Sequence, residues 1–192
     1  MAWHDGYVRR VSVVGTSGSG KSWMARELAA RLGLPLLELD AIRHQKDWEP
    51  LPDAEFVEQV SSFVCQDCWI VDGNYFSLVT EPVVWPAADT VILVDPGRVV
   101  VMRQVVWRTL KRWLLRQELW NGNREKLRDV LHWDPYRSII RWAWTSYRPN
   151  RERFEAAMAD PRWKHLTFTR LRSAAEIRHF LEGVEASTTR PL

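Results

Sequence analysis

Short apolar runs alternate with amphipathic stretches along this chain. Runs of apolar and β-branched residues predict five strands, at residues 7–14, 35–39, 69–71, 91–94 and 165–169. The run at 91–94 (VILV) is apolar at every position, which is typical of a strand covered on both faces. Apolar residues spaced three and four apart predict helices over residues 22–32, 98–120, 136–147, 150–159 and 174–181, with another beginning at Asp53. Strands that alternate with helices predict an α/β fold, a parallel sheet with helices on both faces.

The length and the spacing of these elements indicate one domain. A chain of 192 residues is long enough to bury its own core, and no repeat or low-complexity linker divides it. We therefore expect a single domain over residues 1–192. Residues from about 107 to 148 carry no strand pattern, and we interpret them as a helical insertion over the sheet, a lid. The polar residues from Ala186 onward are expected to be disordered.

Charge is unevenly distributed along the chain, although the net charge is only +3. Residues 98–153 contain 14 Lys and Arg but 5 Asp and Glu, whereas the rest of the chain contains 13 and 19. The same segment holds six of the twelve tryptophans. A basic, aromatic segment indicates an anionic partner, which is a nucleotide phosphate, a phosphorylated substrate or a nucleic acid.

Features of membrane and secreted proteins are missing from the sequence. No apolar run reaches the length of a bilayer span, and the N-terminal residues lack the apolar stretch of a signal peptide. We therefore expect a cytoplasmic protein that has no membrane association.

Cys65 and Cys68 form a C-x-x-C pair, for which two interpretations remain open. The pair is either a redox or zinc-binding motif or two small residues at the end of a helix. A structural zinc site needs four ligands, and the chain has no second cysteine pair, so the second interpretation is favoured.

The strongest chemical signal is GTSGSGKS, which follows the first predicted strand and begins the first predicted helix. This pattern is the P-loop, which binds ATP or GTP. Its glycines let the backbone N–H groups turn inward to the phosphates, where Lys21 reaches the β- and γ-phosphates and Ser22 offers a hydroxyl to Mg²⁺. The motif consists of Gly15, Thr16, Ser17, Gly18, Ser19, Gly20, Lys21 and Ser22. The bulky Trp23 that follows lies either under the sheet or near the base.

Two aspartates are candidates for the chemistry around the phosphates. Asp72 follows the third predicted strand, where a carboxylate would hold Mg²⁺ through water; the alternative is a turn residue before Gly73. Asp40 ends the second predicted strand, so it should face the ligand crevice and accept a proton from an attacking hydroxyl. The alternative role for Asp40 is a helix cap. Arg43 and His44 are close enough in sequence to contact an acceptor, or are simply surface residues.

Several of these pieces together resemble a known family. In order they are GTSGSGKS, LELD at residues 37–40, WIVDGNY at 69–75, ADTVILVDP at 88–96, and an arginine-rich helix. The chain resembles the adenylate-kinase-like P-loop proteins of bacteria, often described as DNA topology modulation proteins. The resemblance implies a P-loop core of nucleoside-monophosphate-kinase type, with a five-stranded parallel sheet, ATP and Mg²⁺ as ligands, and a mobile basic lid.

The resemblance also implies roles for individual residues. Arg103, in the helix after the fourth strand, would approach ATP, and residues 170–173 would border the adenine. Asn74 and Tyr75 stand where adenylate kinases have a Phe-Pro-Arg stretch, so AMP is not indicated as the acceptor. We expect Asp40, Arg43, Asn74 and Tyr75 to bind the acceptor instead. The arginines that would stabilise the transferred phosphoryl group are Arg137, Arg141, Arg148, Arg108 and Arg112; each is equally compatible with a plain surface charge.

Three functions fit this sequence. The first is an ATP-dependent phosphotransferase, similar to nucleoside and nucleotide kinases, that acts on a small-molecule acceptor of unknown identity. The second is a nucleotide-dependent regulatory protein that binds nucleic acid through the basic, tryptophan-rich segment. The third is an NTPase that works through a partner protein. The sequence contains no recognised nucleic-acid-binding motif and does not indicate an oligomeric state.

Overall fold

The computed structural model describes residues 9–115, 117–123 and 138–188. Five parallel strands form one sheet in the order β2-β3-β1-β4-β5. The strands are β1 (Arg10–Gly15), β2 (Leu36–Glu38), β3 (Trp69–Asp72), β4 (Thr90–Val94) and β5 (Thr167–Leu171). The predicted α/β fold with a five-stranded parallel sheet is therefore confirmed.

Helices connect the strands and cover both faces of the sheet. They are α1 (Lys21–Leu32), α2 (Leu39–Arg43), α3 (Asp53–Val64), α4 (Trp85–Ala87), α5 (Arg98–Leu114), α6 (Ile139–Ala159) and α7 (Ala174–Thr188). A π-helical stretch, Phe76–Val84, leads into α4, and short 3-10 turns form at Lys46–Trp48, Trp120–Gly122 and Pro161–Trp163. Among the described helices, none is both long enough and apolar enough to cross a membrane.

The unbroken apolar run at residues 91–94 lies in β4, which contacts the core on both faces of the sheet. Val91 and Leu93 pack into the core on one face of the sheet, against α3 and the π-helical stretch, while Ile92 and Val94 pack on the other face against α1 and α7. Every residue of β4 is buried. Because successive side chains point to opposite faces, a central parallel strand buries both sets, here the four apolar residues and Thr90 at the start of β4.

Helix α6 differs from the prediction, which placed separate helices at 136–147 and 150–159. The structure has a single 21-residue helix that runs through Pro149. A proline inside a helix removes one backbone hydrogen bond, so the surrounding contacts must offset that loss. Tyr147 donates a hydrogen bond from its hydroxyl to the Pro96 carbonyl oxygen at 3.1 Å, and Phe154 is buried with its ring 4.8 Å from that of Phe76. Both halves of the helix are thus held by tertiary packing.

Three other predicted boundaries were wrong. Strand β2 ends at Glu38, so Asp40 lies inside α2 rather than at a strand end, and its predicted role as a helix cap is also not seen. Helix α5 ends at Leu114 instead of residue 120. Helix α7 continues to Thr188, beyond the predicted end at residue 181 and past Ala186, where disorder was expected.

The cysteine pair follows α3. Cys65 is exposed, Cys68 is partly buried, and both are free thiols. Within the described ranges, no three His, Cys, Asp or Glu side chains cluster as a metal site. The part of the chain described here therefore gives the pair no further zinc ligands.

Candidate nucleotide and acceptor site

The P-loop lies at the carboxyl edge of the sheet, between β1 and α1. Gly18 and Gly20 adopt positive φ angles of 82° and 98°, in the left-handed region that favours glycine. A Cβ on Gly18 would clash with a methyl carbon of Val105, because α5 packs directly on the loop. The sequence around Gly18 therefore permits a tight loop that ends at the N-terminus of α1, where backbone N–H groups attract an anion.

Asn74 holds the beginning of this loop in place. Its side-chain oxygen accepts a hydrogen bond from the Gly15 N–H at 3.0 Å, and its side-chain nitrogen donates to the Gly15 carbonyl oxygen. The sequence predicted Asn74 to bind the acceptor. Although Asn74 does border the ligand cavity, its amide is bonded to the backbone of the P-loop, so we interpret it as a positioning residue.

Asp72, the last residue of β3, fits a magnesium site. Its side chain is buried, and Oδ1 has no hydrogen-bond partner among the described residues. Burial raises the pKa of Asp72, while the positive charge of Lys21 and a hydrogen bond with Ser22 act in the opposite direction. A buried carboxylate with an unsatisfied oxygen, next to a hydroxyl and an ammonium group, matches the oxygen ligands that Mg²⁺ prefers beside a nucleotide.

We expect the Asp72→Asn variant to be more stable without ligand but less active than the wild type. The pKa of Asp72 is raised in the folded state, so ionisation above that pKa costs folding free energy, and stability falls as pH rises through it. Asparagine removes this cost, whereas loss of the carboxylate should weaken Mg²⁺-dependent turnover by about 10–100-fold. Thermal unfolding at neutral pH with and without Mg·ATP, together with ATP turnover, checks both effects. An unfolding temperature below that of the wild type would contradict the expectation.

Asp40 and Tyr75 form a hydrogen-bonded pair outside the P-loop motif. The Tyr75 hydroxyl donates to Asp40 Oδ1 at 2.8 Å, and His44 Nε2 lies 3.4 Å from the same hydroxyl. Burial and the neighbouring Asp40 carboxylate raise the pKa of Tyr75, so the phenol stays protonated and remains a donor. Burial lowers the pKa of His44, which favours its neutral form. The Asp40 carboxylate is thus oriented by the neutral Tyr75 hydroxyl and keeps one oxygen for a ligand.

A single cavity of about 1190 Å³ is lined by P-loop residues and by the Asp40–Tyr75 pair, whereas the buried Asp72 is not among its lining residues. Typical pockets for one small ligand have volumes of roughly 300–1,000 Å³, so this cavity has room for more than one. The candidate residues named from the sequence that line it are Ser17, Gly18, Gly20, Lys21, Ser22, Asp40, His44, Asn74, Tyr75, Arg108 and Arg112. The cavity therefore brings the phosphate-binding loop and the Asp40–Tyr75 pair together.

Arg43 does not line this cavity. Its guanidinium donates to the Leu51 carbonyl oxygen and to Asp53 Oδ1, each at 2.7 Å, and lies over the Phe56 ring. Its contacts tie the end of α2 to α3, so the expectation that Arg43 binds the acceptor is corrected to a structural role.

The arginine of α5 that approaches the P-loop is Arg108 and not Arg103. Arg108 lines the cavity, and its guanidinium lies 3.4 Å from Ser17 Oγ, whereas Arg103 is exposed outside the cavity. Five residues along a helix rotate a side chain by about 140° from its starting direction, so the two arginines lie on different faces. The predicted role of Arg103 in ATP binding is therefore corrected.

The other predicted arginines have different environments. Arg112 lines the cavity. Arg141 lies in the first turns of α6 and is not among the lining residues, and Arg148 is exposed and pairs with Glu152 at 3.3 Å. Arg137 lies outside the described residues. Arg153, which the sequence analysis did not select, lines the cavity and lies 5.0 Å over the Phe76 ring.

Replacing Arg108 with alanine should lower kcat about 100-fold, because one positioned donor to a charged transition state typically contributes that much. The matched variant Arg103→Ala removes the same group from the same helix and should change kcat less than about twofold, since surface substitutions have small effects. Steady-state kinetics of the two purified variants makes the comparison. Equal losses in both would show that the charge of α5, and not the position of Arg108, matters.

Residues 170–173 were expected to border the adenine. The first of them, Arg170, forms hydrogen bonds within the protein. Arg170 donates from Nε to Asp95 Oδ2 at 2.9 Å and from a terminal nitrogen to Glu155 at 3.1 Å. These bonds connect β5, the end of β4 and α6. The Arg170 side chain therefore links these three elements.

Aromatic side chains that sequence analysis did not assign to the site also line the cavity. Trp23 is half exposed and faces the cavity, so it does not pack under the sheet. Trp48 and Trp120 contact the ring of His44, with ring centroids 5.5 Å and 6.3 Å away respectively. Trp142 lines the same cavity. The excess of tryptophan in the basic segment was a signal for Trp120 and Trp142, whereas Trp23 and Trp48 lie outside that segment.

Comparisons with known proteins find similarity at the level of structure. No protein-family model matches the chain, and no curated protein sequence matches it. A shikimate kinase from Bacteroides thetaiotaomicron superposes with a TM-score of 0.53 at 11% identity, covering 95% of this chain and 99% of that one. A shikimate kinase from Acinetobacter baumannii in complex with shikimate gives 0.52 at 13% identity, covering 96% of both chains.

A gluconokinase from Sinorhizobium meliloti 1021 gives a TM-score of 0.51 at 16% identity and covers 94% of both chains. None of these three structures is named as a DNA topology modulation protein, so that narrower resemblance stays a prediction. Identities below 20% establish a shared architecture and no more. The chain has the α/β fold of the P-loop kinases.

Proposed function

We infer that this protein is an ATP-dependent phosphotransferase that acts on a hydroxyl group of a small molecule. The observation that carries the proposal is the shared cavity, which is lined both by the P-loop and by the Asp40–Tyr75 pair. A motif that binds phosphates and a carboxylate that accepts a proton are the two parts that phosphoryl transfer to a hydroxyl requires. The structural neighbours, which are named as kinases of small molecules, support the same class.

The residues around the P-loop would hold the donor nucleotide. Backbone N–H groups of the loop and the N-terminus of α1 would bind the phosphates, and Lys21 would neutralise charge on them. Ser22 and Asp72 would hold Mg²⁺, which supplies positive charge against the terminal phosphates. Arg108 lies beside Ser17 of the loop and would stabilise the negative charge that develops on the transferred group.

The Asp40–Tyr75 pair would act on the acceptor. In the proposed reaction the acceptor O–H bond breaks, its oxygen bonds to the terminal phosphorus of ATP, and the electron pair of the broken P–O bond leaves with ADP. The proton passes to the Asp40 carboxylate. Tyr75 donates to one carboxylate oxygen at 2.8 Å, which orients the other toward the acceptor. The role of Tyr75 is therefore to position Asp40.

Two alternatives account for fewer of the observations. An NTPase without an acceptor would need the P-loop but has no use for a hydrogen-bonded carboxylate in an oversized cavity. A nucleic-acid-binding regulator would use the basic segment, yet Arg108, Arg112 and Arg153 of that segment line the cavity. These three of the fourteen basic residues in the segment are thus equally accounted for by a phosphorylated substrate.

ATP turnover with a panel of nucleosides, nucleotides, sugars and hydroxy acids tests the proposal. We expect at least one compound to accelerate ADP release and to yield a phosphorylated product, which phosphorus NMR identifies. An ADP-release rate that is identical with and without every compound would favour the NTPase alternative. Binding of single-stranded DNA or RNA that weakens steeply with salt would favour the nucleic-acid alternative.

A further inference from the structure

A cluster of aromatic rings begins immediately beside the Asp40–Tyr75 pair. His44 Nε2 lies 3.4 Å from the Tyr75 hydroxyl, and the His44 ring is stacked on Trp120 with an interplanar angle of 27°. Trp48 meets the same His44 ring edge-on. We refer to His44, Trp48 and Trp120 as the aromatic triad. All three residues line the ligand cavity.

The triad joins two parts of the chain that are far apart in sequence. His44 and Trp48 belong to the connection between α2 and α3, whereas Trp120 belongs to the segment between α5 and α6, inside the predicted lid. Asn121 donates to the His44 carbonyl oxygen at 2.6 Å. Asn123 donates to the Gln45 carbonyl oxygen at 2.7 Å and accepts from the Trp48 N–H at 3.0 Å. Two asparagines therefore fix the position of Trp120 against His44.

Backbone strain is concentrated at the same place. In the described part of the chain, the non-glycine residues with positive φ are Asp47 (61°), Trp48 (64°) and Asn121 (57°). This conformation is unfavourable for residues with a side chain, and such strain tends to occur at ligand-binding sites. The strained residues here are the ones that present Trp48 and Trp120 to the cavity.

We propose that the aromatic triad binds the body of the acceptor and selects a hydroxyl that is carried directly on a ring. This inference rests on the proposed phosphotransferase function. A hydroxyl bound to Asp40 brings the atoms attached to it near the triad, because the Tyr75 hydroxyl that bonds to Asp40 is also 3.4 Å from His44. Flat aromatic walls favour the apolar face of a ring, whereas an open-chain polyol would bring hydroxyl groups against carbon and would lose more conformational freedom.

Ring-bearing alcohols include cyclitols, cyclic sugars and nucleosides, and the three share the chemistry that the triad recognises. The experiment compares myo-inositol, glucose and adenosine with the open-chain polyols mannitol and glycerol in ATP turnover. We expect at least one ring compound to be phosphorylated, and the one that is active identifies the source of the ring. Turnover with the open-chain compounds only would overturn the proposal.

Variants of the triad test the assignment of the residues. Trp120→Ala should raise KM for the active ring compound about tenfold, with a smaller change in kcat and no change in KM for ATP. Trp120→Phe should retain most of the affinity, and Asn121→Ala should raise KM in the same direction by releasing the segment. Trp107→Ala removes an exposed tryptophan outside the cavity and serves as the control. An unchanged KM in Trp120→Ala would overturn the proposal.

A binding measurement separates this inference from the proposed function. If no compound is phosphorylated, the phosphotransferase proposal fails. Saturation-transfer NMR with the same ring compounds then tests whether the triad binds them, independently of any phosphoryl transfer. Signals on the ring protons that are lost in Trp120→Ala and kept in Trp107→Ala support the subsite, whereas signals that are equal in all proteins, or absent from the wild type, contradict it.

Discussion

An Asp40→Asn variant is expected to transfer phosphate to the acceptor about 10²–10⁴ times more slowly than the wild type, because a positioned general base contributes a factor of that size. Asparagine keeps the size of the side chain and still accepts the hydrogen bond from Tyr75, so the cavity should be preserved. Asp40 belongs to α2 and not to the P-loop, and ATP affinity should therefore be unchanged. Acceptor-dependent ADP release and a separate nucleotide-binding titration measure the two quantities.

Two further variants make this result specific. Tyr75→Phe removes the donor that orients Asp40 but leaves the carboxylate, so the loss of kcat should be smaller than in Asp40→Asn. Lys21→Ala, in contrast, should lose acceptor-dependent transfer and weaken ATP binding, and purifying it in the same way excludes a contaminating kinase. A loss of ATP affinity in Asp40→Asn that matches its loss of transfer would show that Asp40 serves the nucleotide instead of the acceptor.

The nucleotide half of the site was predictable because its chemistry is local in the sequence. The P-loop is one contiguous motif, and Asp72 is the last residue of the buried strand that positions it. Parallel strands place their carboxyl ends at the same edge of a sheet, so a correct list of strands is sufficient to bring these residues together. The five strands could be listed because apolar runs mark them clearly.

Helix rotation was the first property that the sequence did not reveal. The α5 helix was predicted, but nothing in its periodicity distinguished the arginine facing the P-loop from the one facing solvent. The contact between Gly18 and Val105 sets this rotation, and it is a tertiary contact. Arg108 was thus named only among several candidates, while Arg103 was assigned to ATP.

Long-range contacts were the second property that the sequence did not reveal. Asn121 bonds to His44 across 77 positions of the chain, and Asn74 bonds to Gly15 across 59. A single sequence contains no signal for such pairs, and each of these residues is typical of an ordinary turn. The half of the cavity beside Asp40 is built from such contacts, which explains why the acceptor side was the less visible half.

The largest effect on stability is expected from the pair formed by Asp95 and Arg170. Their side chains are 7% and 15% exposed, and two guanidinium nitrogens of Arg170 bond to Asp95 Oδ2. Removing one partner of a buried ion pair leaves the other charge uncompensated, which typically costs 3–5 kcal/mol. Arg170→Met should lower the free energy of unfolding by about 3 kcal/mol, at the low end of that range, because Arg151 stays 3.8 Å from Asp95.

Urea unfolding of Arg170→Met, measured beside Arg148→Ala, tests this expectation. The side chain of Arg148 is 83% exposed and pairs with Glu152 within one helix, so its loss should change stability by less than about 0.5 kcal/mol. Adding Asp95→Leu to Arg170→Met should recover much of the lost stability, because no buried charge then remains. If the double variant is no more stable than the single one, the pair acts through geometry, by holding α6 and its cavity-lining Arg153 against the sheet. KM for the acceptor, and not only stability, would then change.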